Sequence, residues 1–373
     1  MASIARRPNG RWRARYRDAA GREYSQHFAR KVDAQRWLDE VTTAVTSGMY
    51  VDPGRGRITV GDWSQRWLAT KVDVKPSTRA RYVGLLKVNV LPRWETVQLA
   101  DVTHEGVAAW VSQLSRSGLA PATVRQAHRV LSLVLSLAVR DGRLARNPAD
   151  RAPLPRAIKK ERVFLTVGQV EELADAAGVY STVILFLAYT GVRFGELSAL
   201  RVRRLDLMRR RADIVEAVAE VGGQAIFSTP KTHQVRTVPI PRFLVDELAR
   251  QAAGKGPDDF VFTSPRGGLL RLQNFRHTVF EPAVRRAGLD GLTPHGLRHT
   301  AASLAITSGA DVKVVQQMLG HASATMTLDL YGHLYGDRLD EIADRMDQMR
   351  TSCGPLADSL RTAPQLIMFP ELR

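Results

Sequence analysis

Cysteine is nearly absent from this 373-residue chain, which has one, Cys353. That excludes an internal disulfide framework and any site built from clustered cysteines, and it fits a reducing cytoplasm. Long apolar runs are missing as well. VILFLAY at 183–189 is far short of the ~18 apolar residues of a membrane span and reads as a buried helix. The opening segment MASIARRPNGRWRARYR holds no apolar stretch, so no signal peptide is expected. Acid is scarce: 37 Asp and Glu stand against 54 Lys and Arg, a formal net charge of +17. With the membrane reading excluded, that excess favours nucleic acid as partner. What remains is ordinary: 44% hydrophobic and 24% charged residues describe a globular protein with a sizeable core.

The patterning suggests three folded units and a tail. In GRWRARYR, Arg11, Arg13, Arg15 and Arg17 alternate with Trp12, Ala14 and Tyr16. Period two predicts a strand with one basic and one apolar face. A second strand is expected over 23–28, then a helix carrying Ala34, Trp37, Leu38, Val41 and Val45, ended by Gly48. Residues 1–36 hold ten basic groups against three acids, so this small module, 1–55, could lay an arginine-faced ribbon in a DNA groove. The plainer reading is a charged edge strand. Residues 56–150 read as a compact helical bundle, with apolar residues at helical spacing in Val107, Trp110, Val111 and Leu114, and from Val124 to Ala138. One of its helices is expected to be capped at Ser77-Thr78 and to run to Pro92. Arg79 and Arg125 are among its candidate DNA contacts.

RAPLPRAIKKER, 151–162, reads as a linker. A new domain, 163–350, opens with a capping box at Thr166 and Gln169, stapled by Leu165 and Val170. Three short strands are expected over 212–240, with Gly222-Gly223 turning the first hairpin and PKTHQ linking the second pair. Helices follow near 241–252, 272–287, 294–308, 311–319 and 337–350, and 351–373 is a tail. The fold class is therefore multidomain and mainly α with a small β-sheet: a β-sheet-plus-helix module, a helical domain and a mixed α/β domain.

The chemistry gathers in the last of these. Arg193 lies in TGVRFGEL, Lys231 in TPKTH, His295 and Arg298 in TPHGLRHT, His321 in LGHAS and Tyr331 in DLYGHL. A phosphodiester in reaction gains charge on its non-bridging oxygens, which needs a metal or fixed cations. His295 and His299 have a spacing that could hold zinc, but HGLRH lacks the glutamate of the metalloprotease pattern and sets Arg298 beside the ion. Neither metal nor cofactor is expected. The cation reading is stronger. Thr293 can cap a helix and Pro294 suits its first position. His295 and Arg298 would then share a face of the first turn, where a phosphate is favoured. Gly191 suggests a turn before Arg193, and Glu196 could orient Arg193 or begin the next helix. Lys231 would sit at a hairpin tip.

In order and spacing, these six residues resemble the tyrosine recombinases, and HGLRHTAAS and LGHASATMTLDLYGHL carry the resemblance. It covers 160–345. The helical region resembles that family's core-binding domain, and the basic N-terminal module resembles the arm-binding domain of phage integrases. The resemblance implies a site-specific recombinase that integrates and excises phage DNA without ATP or metal. Tyr331 would be the nucleophile and form a 3′-phosphotyrosyl link. Arg193 and Arg298 would clamp the phosphate, Lys231 would protonate the leaving 5′-oxygen, and His295 would assist proton transfer. His321 would hydrogen-bond the phosphate, Glu196 would support from behind, and Tyr335 would be structural.

The resemblance also implies a homotetramer on double-stranded DNA with core-type and arm-type sites. A host DNA-bending protein and an excision directionality factor are possible further partners. The expected location is the cytoplasm of a bacterial host, at the nucleoid. A transposon-encoded recombinase or a type IB topoisomerase-like nicking-closing enzyme would use the same chemistry. The N-terminal module counts against the latter, because relaxing DNA needs no second site.

Overall fold

The computed structural model describes residues 2–17, 21–46, 54–156, 163–229, 235–336 and 339–352. The chain forms two compact units, 1–160 with 220–226, and 161–219 with 227–373.

The first unit opens with a three-stranded antiparallel sheet, β1 (Ser3–Arg6), β2 (Trp12–Arg17) and β3 (Glu23–Phe28). β1 was not expected from the pattern, being only SIAR. The alternation in β2 works as its period demands. Ala14 and Tyr16 are buried while Arg15 and Arg17 stay in solvent. Helix α1 (Lys31–Thr46) covers the apolar face, and Ala14, Tyr16, Ala34 and Leu38 form its core. The expected Gly48 stop lies outside the described residues.

Four helical stretches follow: α2 (Val60–Ala69), α3 (Pro76–Leu85) leading into α4 (Leu91–Trp94), α5 (His104–Arg116) and α6 (Pro121–Arg140). Thr59 and Thr103 cap α2 and α5 by accepting from backbone N–H groups. The apolar stripes close on a core containing Trp63, Trp67, Trp94, Trp110, Leu131 and Leu135. The Ser77-Thr78 cap is corrected. Pro76 occupies the first turn of α3, and its missing N–H costs nothing there. Nor does Pro92 end the helix. Leu86–Val90 form a π-turn just before it, and such a bulge accommodates the carbonyl that a proline ring would strike. The same device recurs at Pro282. There α11 (Leu272–Phe275), a π-turn at Arg276–Phe280 and α12 (Glu281–Arg286) follow one another without a break.

In the second unit α7 (Val167–Ala176) starts with the reciprocal Thr166–Gln169 capping box. α8 (Ser181–Thr190) is buried nearly all round and packs on α13 (Pro294–Thr307). α9 (Phe194–Ser198) follows directly. The strand region departs from expectation. ADIVEAVA splits into β5 (Arg211–Ile214) and β6 (Ala217–Val221). β4 (Leu205–Asp206), β5 and β8 (Arg236–Pro239) make an antiparallel sheet, while β6 pairs only with β7 (Gln224–Ser228). β8 thus pairs with β5 rather than with β7. The reason is burial: Ala212, Ile214, Val238 and Ile240 all belong to one core, which holds β5 and β8 together. Gly222 and Gly223, both at positive φ, turn the β6–β7 hairpin as expected. The remaining helices are α10 (Leu244–Ala252), α14 (Val312–Leu319), α15 (Ala324–Tyr331) and α16 (Leu339–Ser352). No described helix is long and apolar enough to cross a membrane.

Candidate active site

Four helix ends and one strand bring the chemical residues together. α8 stops at Gly191, whose φ of +66° only glycine adopts without strain. The chain then places Arg193 at the N-cap of α9. Glu196, one turn in, accepts from the Arg193 backbone N–H at 2.9 Å and from its guanidinium at 2.8 Å. Glu196 thus holds both the backbone and the side chain of Arg193 from the first turn of α9. Glu196 is almost fully buried, at 1% exposure. Burial by itself would raise its pKa, but hydrogen bonds and charge from Arg236, and then from Arg193, hold the carboxyl below its ordinary range.

Thr293 caps α13 by accepting from Gly296, and Pro294 takes the first turn. His295 is exposed there, whereas Arg298 is buried at 3% exposure. The two differ because Arg298 reaches under α13. One terminal nitrogen donates to the Gly191 carbonyl at 2.6 Å and the other to the Leu319 carbonyl at 2.5 Å. A guanidinium has five N–H donors, so these two bonds aim the group and leave three. Burial, then the charge of Arg193, push the Arg298 pKa down to about 9, and it still carries its charge at neutral pH.

His321 follows the αL glycine, Gly320, that ends α14. Its Nδ1 lies 3.0 Å from the Thr327 hydroxyl. Burial, then Arg298, Arg193 and Arg236, push its pKa down to about 4, so the ring is neutral at physiological pH. Tyr331 ends α15 and is 0% exposed. Its ring lies parallel to that of His321, centroids 6.3 Å apart. Its hydroxyl is 2.8 Å from Nδ1 of His299. His299 in turn meets the His295 ring edge-on at 5.2 Å. Tyr335 is packed beside the same cluster. Its hydroxyl is buried without a hydrogen-bond partner among the described residues, and burial, then Asp311, raises its pKa.

Arg193, Glu196, Arg236, Arg298, His299, His321 and Tyr331 thus meet in one cluster, with His295 at its edge. Lys231 lies outside the described residues. Two members were not singled out from the sequence. The sequence suggests His299 as a metal ligand, although the same H-x3-H spacing sets it one turn from His295. Arg236 left a clearer trace, for it stands at period two with the buried Val238 of β8 and with Ile240 just after it. Among the described residues no cluster of three or more His, Cys, Asp and Glu could hold a metal ion.

The candidate DNA contacts occupy the first unit. Arg13, Arg15 and Arg17 each lie within 3.7 Å of the single carboxylate of Glu23, leaving a surplus of positive charge on that face of β2. Arg11 and Arg79 are exposed. Arg125 is exposed too, and donates to the Pro155 carbonyl at 3.2 Å.

One buried and one half-buried arginine, a carboxylate that orients the latter, two histidines and a helix-terminal tyrosine make a tyrosine-recombinase type of site. The chain carries a phage integrase family domain, residues 163–338, and a phage integrase N-terminal domain, residues 2–47. It is 29% identical to the prophage phiRv2 integrase of Mycobacterium tuberculosis, over 91% of this chain and 93% of that protein. It is 26% identical to the integrase of Mycobacterium phage D29, over 87% and 89%. Among solved structures, the Tn1549 transposon integrase in complex with transposon right end DNA superposes with a TM-score of 0.68 at 22% identity, covering 79% of this chain and 100% of that one. A lambda integrase dimer bound to a COC′ core site gives 0.56 at 20% identity, covering 90% and 95%. These two likenesses establish the fold.

Proposed function

We propose that this protein is a site-specific DNA recombinase of the phage-integrase kind, cutting and rejoining DNA through a 3′-phosphotyrosyl intermediate. The observation that carries the reading is the convergence of Tyr331, Arg193, Arg298 and His321 from four separate segments. Tyr331 attacks the scissile phosphorus as its proton passes to His299. The bond from phosphorus to the 5′-oxygen breaks, and Lys231 protonates the leaving oxygen. Arg193 and Arg298 hold the non-bridging oxygens where charge develops. With Nδ1 of His321 accepting from Thr327, its Nε2–H donates to the same phosphate. His295, in solvent at the mouth, relays the proton from His299. The link preserves the energy of the phosphodiester, so a 5′-hydroxyl from a second duplex reverses the step on a new partner.

Domain roles follow the family. Residues 1–55 would bind arm-type sites and the helical region of the first unit core-type sites. Four copies would assemble on two duplexes in the cytoplasm of the bacterial host, with or without a host bending protein and a directionality factor. The match of residues 2–47 to the phage integrase N-terminal domain supports a phage or prophage element over a transposon. The test is covalent capture. The full chain, mixed with a nicked duplex enriched from a random pool by its own binding, should form a protein–DNA adduct in EDTA. Peptide mapping should place the DNA on Tyr331. An adduct that needs a divalent metal, or one on Tyr335, would overturn the mechanism.

A further inference from the structure

We propose that Arg236 is a positioning residue of this active site, the tie that fixes Arg193 and Arg298 in their places relative to one another. The inference rests on the recombinase reading above.

Arg236 is an arginine on the buried face of a strand, 9% exposed. An unpaired charge there would be costly, and all three sides of its guanidinium are used. Nη1 and Nη2 grip the two oxygens of Glu196 at 3.1 and 2.6 Å. Nε donates to the Met318 carbonyl at 3.0 Å. Glu196 is the carboxylate that orients Arg193, and Met318 precedes Leu319, whose carbonyl orients Arg298. One planar fork therefore joins the two supports on which both guanidiniums depend. The close fit extends to Gly320, where an added Cβ would come within 2.9 Å of Arg236 Cδ. Gly320 immediately precedes His321. Arg236 also begins β8.

Charge gives the second part of the argument. The described cluster sets three guanidiniums, Arg193, Arg236 and Arg298, around one carboxylate, Glu196. With Arg236 present, the carboxylate is neutralised from behind, and two positive charges remain for a phosphodiester. Without Arg236, Glu196 would face Arg193 alone and cancel it. Lysine would restore the charge but not the three-way fork.

The experiment compares single-turnover adduct formation with DNA affinity in the full chain, using the enriched nicked duplex. R236Q should bind the duplex as the wild type does but form the adduct about 100-fold more slowly, the loss typical of one misplaced oxyanion contact. R236K should fall between them. The distinguishing variant is E196Q/R236Q. Removing the carboxylate together with its neutralising partner should recover about tenfold over R236Q, a coupling that independent structural defects do not show. If R236Q does not fold, judged by its thermal transition, R236K against wild type and the double variant against E196Q carry the same comparison. Wild-type rates in R236Q, or a double variant no faster than R236Q, would overturn the inference and leave the recombinase reading intact. A wild-type protein that forms no adduct would overturn the recombinase reading, and this inference with it.

Discussion

The hydroxyl of Tyr331 and Nδ1 of His299 lie 2.8 Å apart, inside a cluster where the tyrosine has no solvent exposure. The proposed nucleophile therefore already stands at hydrogen-bond distance from the proposed base, one helical turn beyond His295. His299 and His295 can be separated by experiment. His299→Gln should slow adduct formation by about 100-fold, the lower range for a lost general base. His295→Gln should cost less, because its ring meets His299 and stands exposed. Single-turnover rates on the nicked duplex decide between them, and equal losses would remove His299 from the proton path.

Acid should weaken the second unit through His321. Its folded pKa is about 4, against roughly 6.5 when unfolded. Above the unfolded value both states are neutral and the residue contributes nothing to the pH dependence. As pH falls from there toward 4, the unfolded chain takes up a proton that the folded chain refuses. Stability drops by up to about 1.4 kcal/mol per unit and levels off below 4. Urea midpoints for wild type and His321→Asn should converge in slope at neutral pH and diverge between pH 6.5 and 4. Glu196 acts at lower pH, since its carboxyl is held below the ordinary range, so the difference belongs to His321.

Gly191 sets the position of Arg298 by its backbone. An alanine there would adopt a φ of +66°, with its Cβ 2.6 Å from Leu319 Cδ2 and 3.2 Å from Ala301 Cβ. Strain of about 1–3 kcal/mol is expected. The larger effect should be on chemistry, because the Gly191 carbonyl holds one Arg298 nitrogen. Gly191→Ala should lower the melting temperature by several degrees and also slow adduct formation. A loss of stability with an unchanged rate would argue against that link.

Lys231 is proposed to protonate the 5′-oxygen. Lys231→Ala should then be nearly inactive on ordinary DNA and recover on a duplex carrying a 5′-bridging phosphorothiolate. A thiolate leaves without a proton. Arg298→Gln should show no such recovery, since its role is toward the non-bridging oxygens. Rescue of both variants alike, or of neither, would contradict the assignment.

Removal of residues 1–55 should abolish binding to arm-type sites and keep weak binding to core-type sites. Footprinting on the attachment DNA reads both at once. The lost part should also carry a steep salt dependence, given the ten basic groups in residues 1–36. An unchanged arm footprint would refute the role of the N-terminal module.

The sequence by itself determined the period-two ribbon of β2, the apolar stripes of α5 and α6 and the capping box of α7. These rest on contacts within a few residues, so spacing and side-chain type suffice. It also pointed to most of the residues proposed to bear the chemistry, because HGLRHT and the LGH-to-Tyr segment are local patterns. The tertiary structure decided what long-range packing controls. It paired β8 with β5 because their apolar faces share a core. It let two helices run through Pro92 and Pro282 by inserting π-turns. It gave Tyr331 to His299, brought Arg236 behind Glu196 across a separation of 40 residues, and hung Arg298 on carbonyls 107 and 21 residues away. A buried charge must find its partners wherever the fold places them, and no local pattern names those partners.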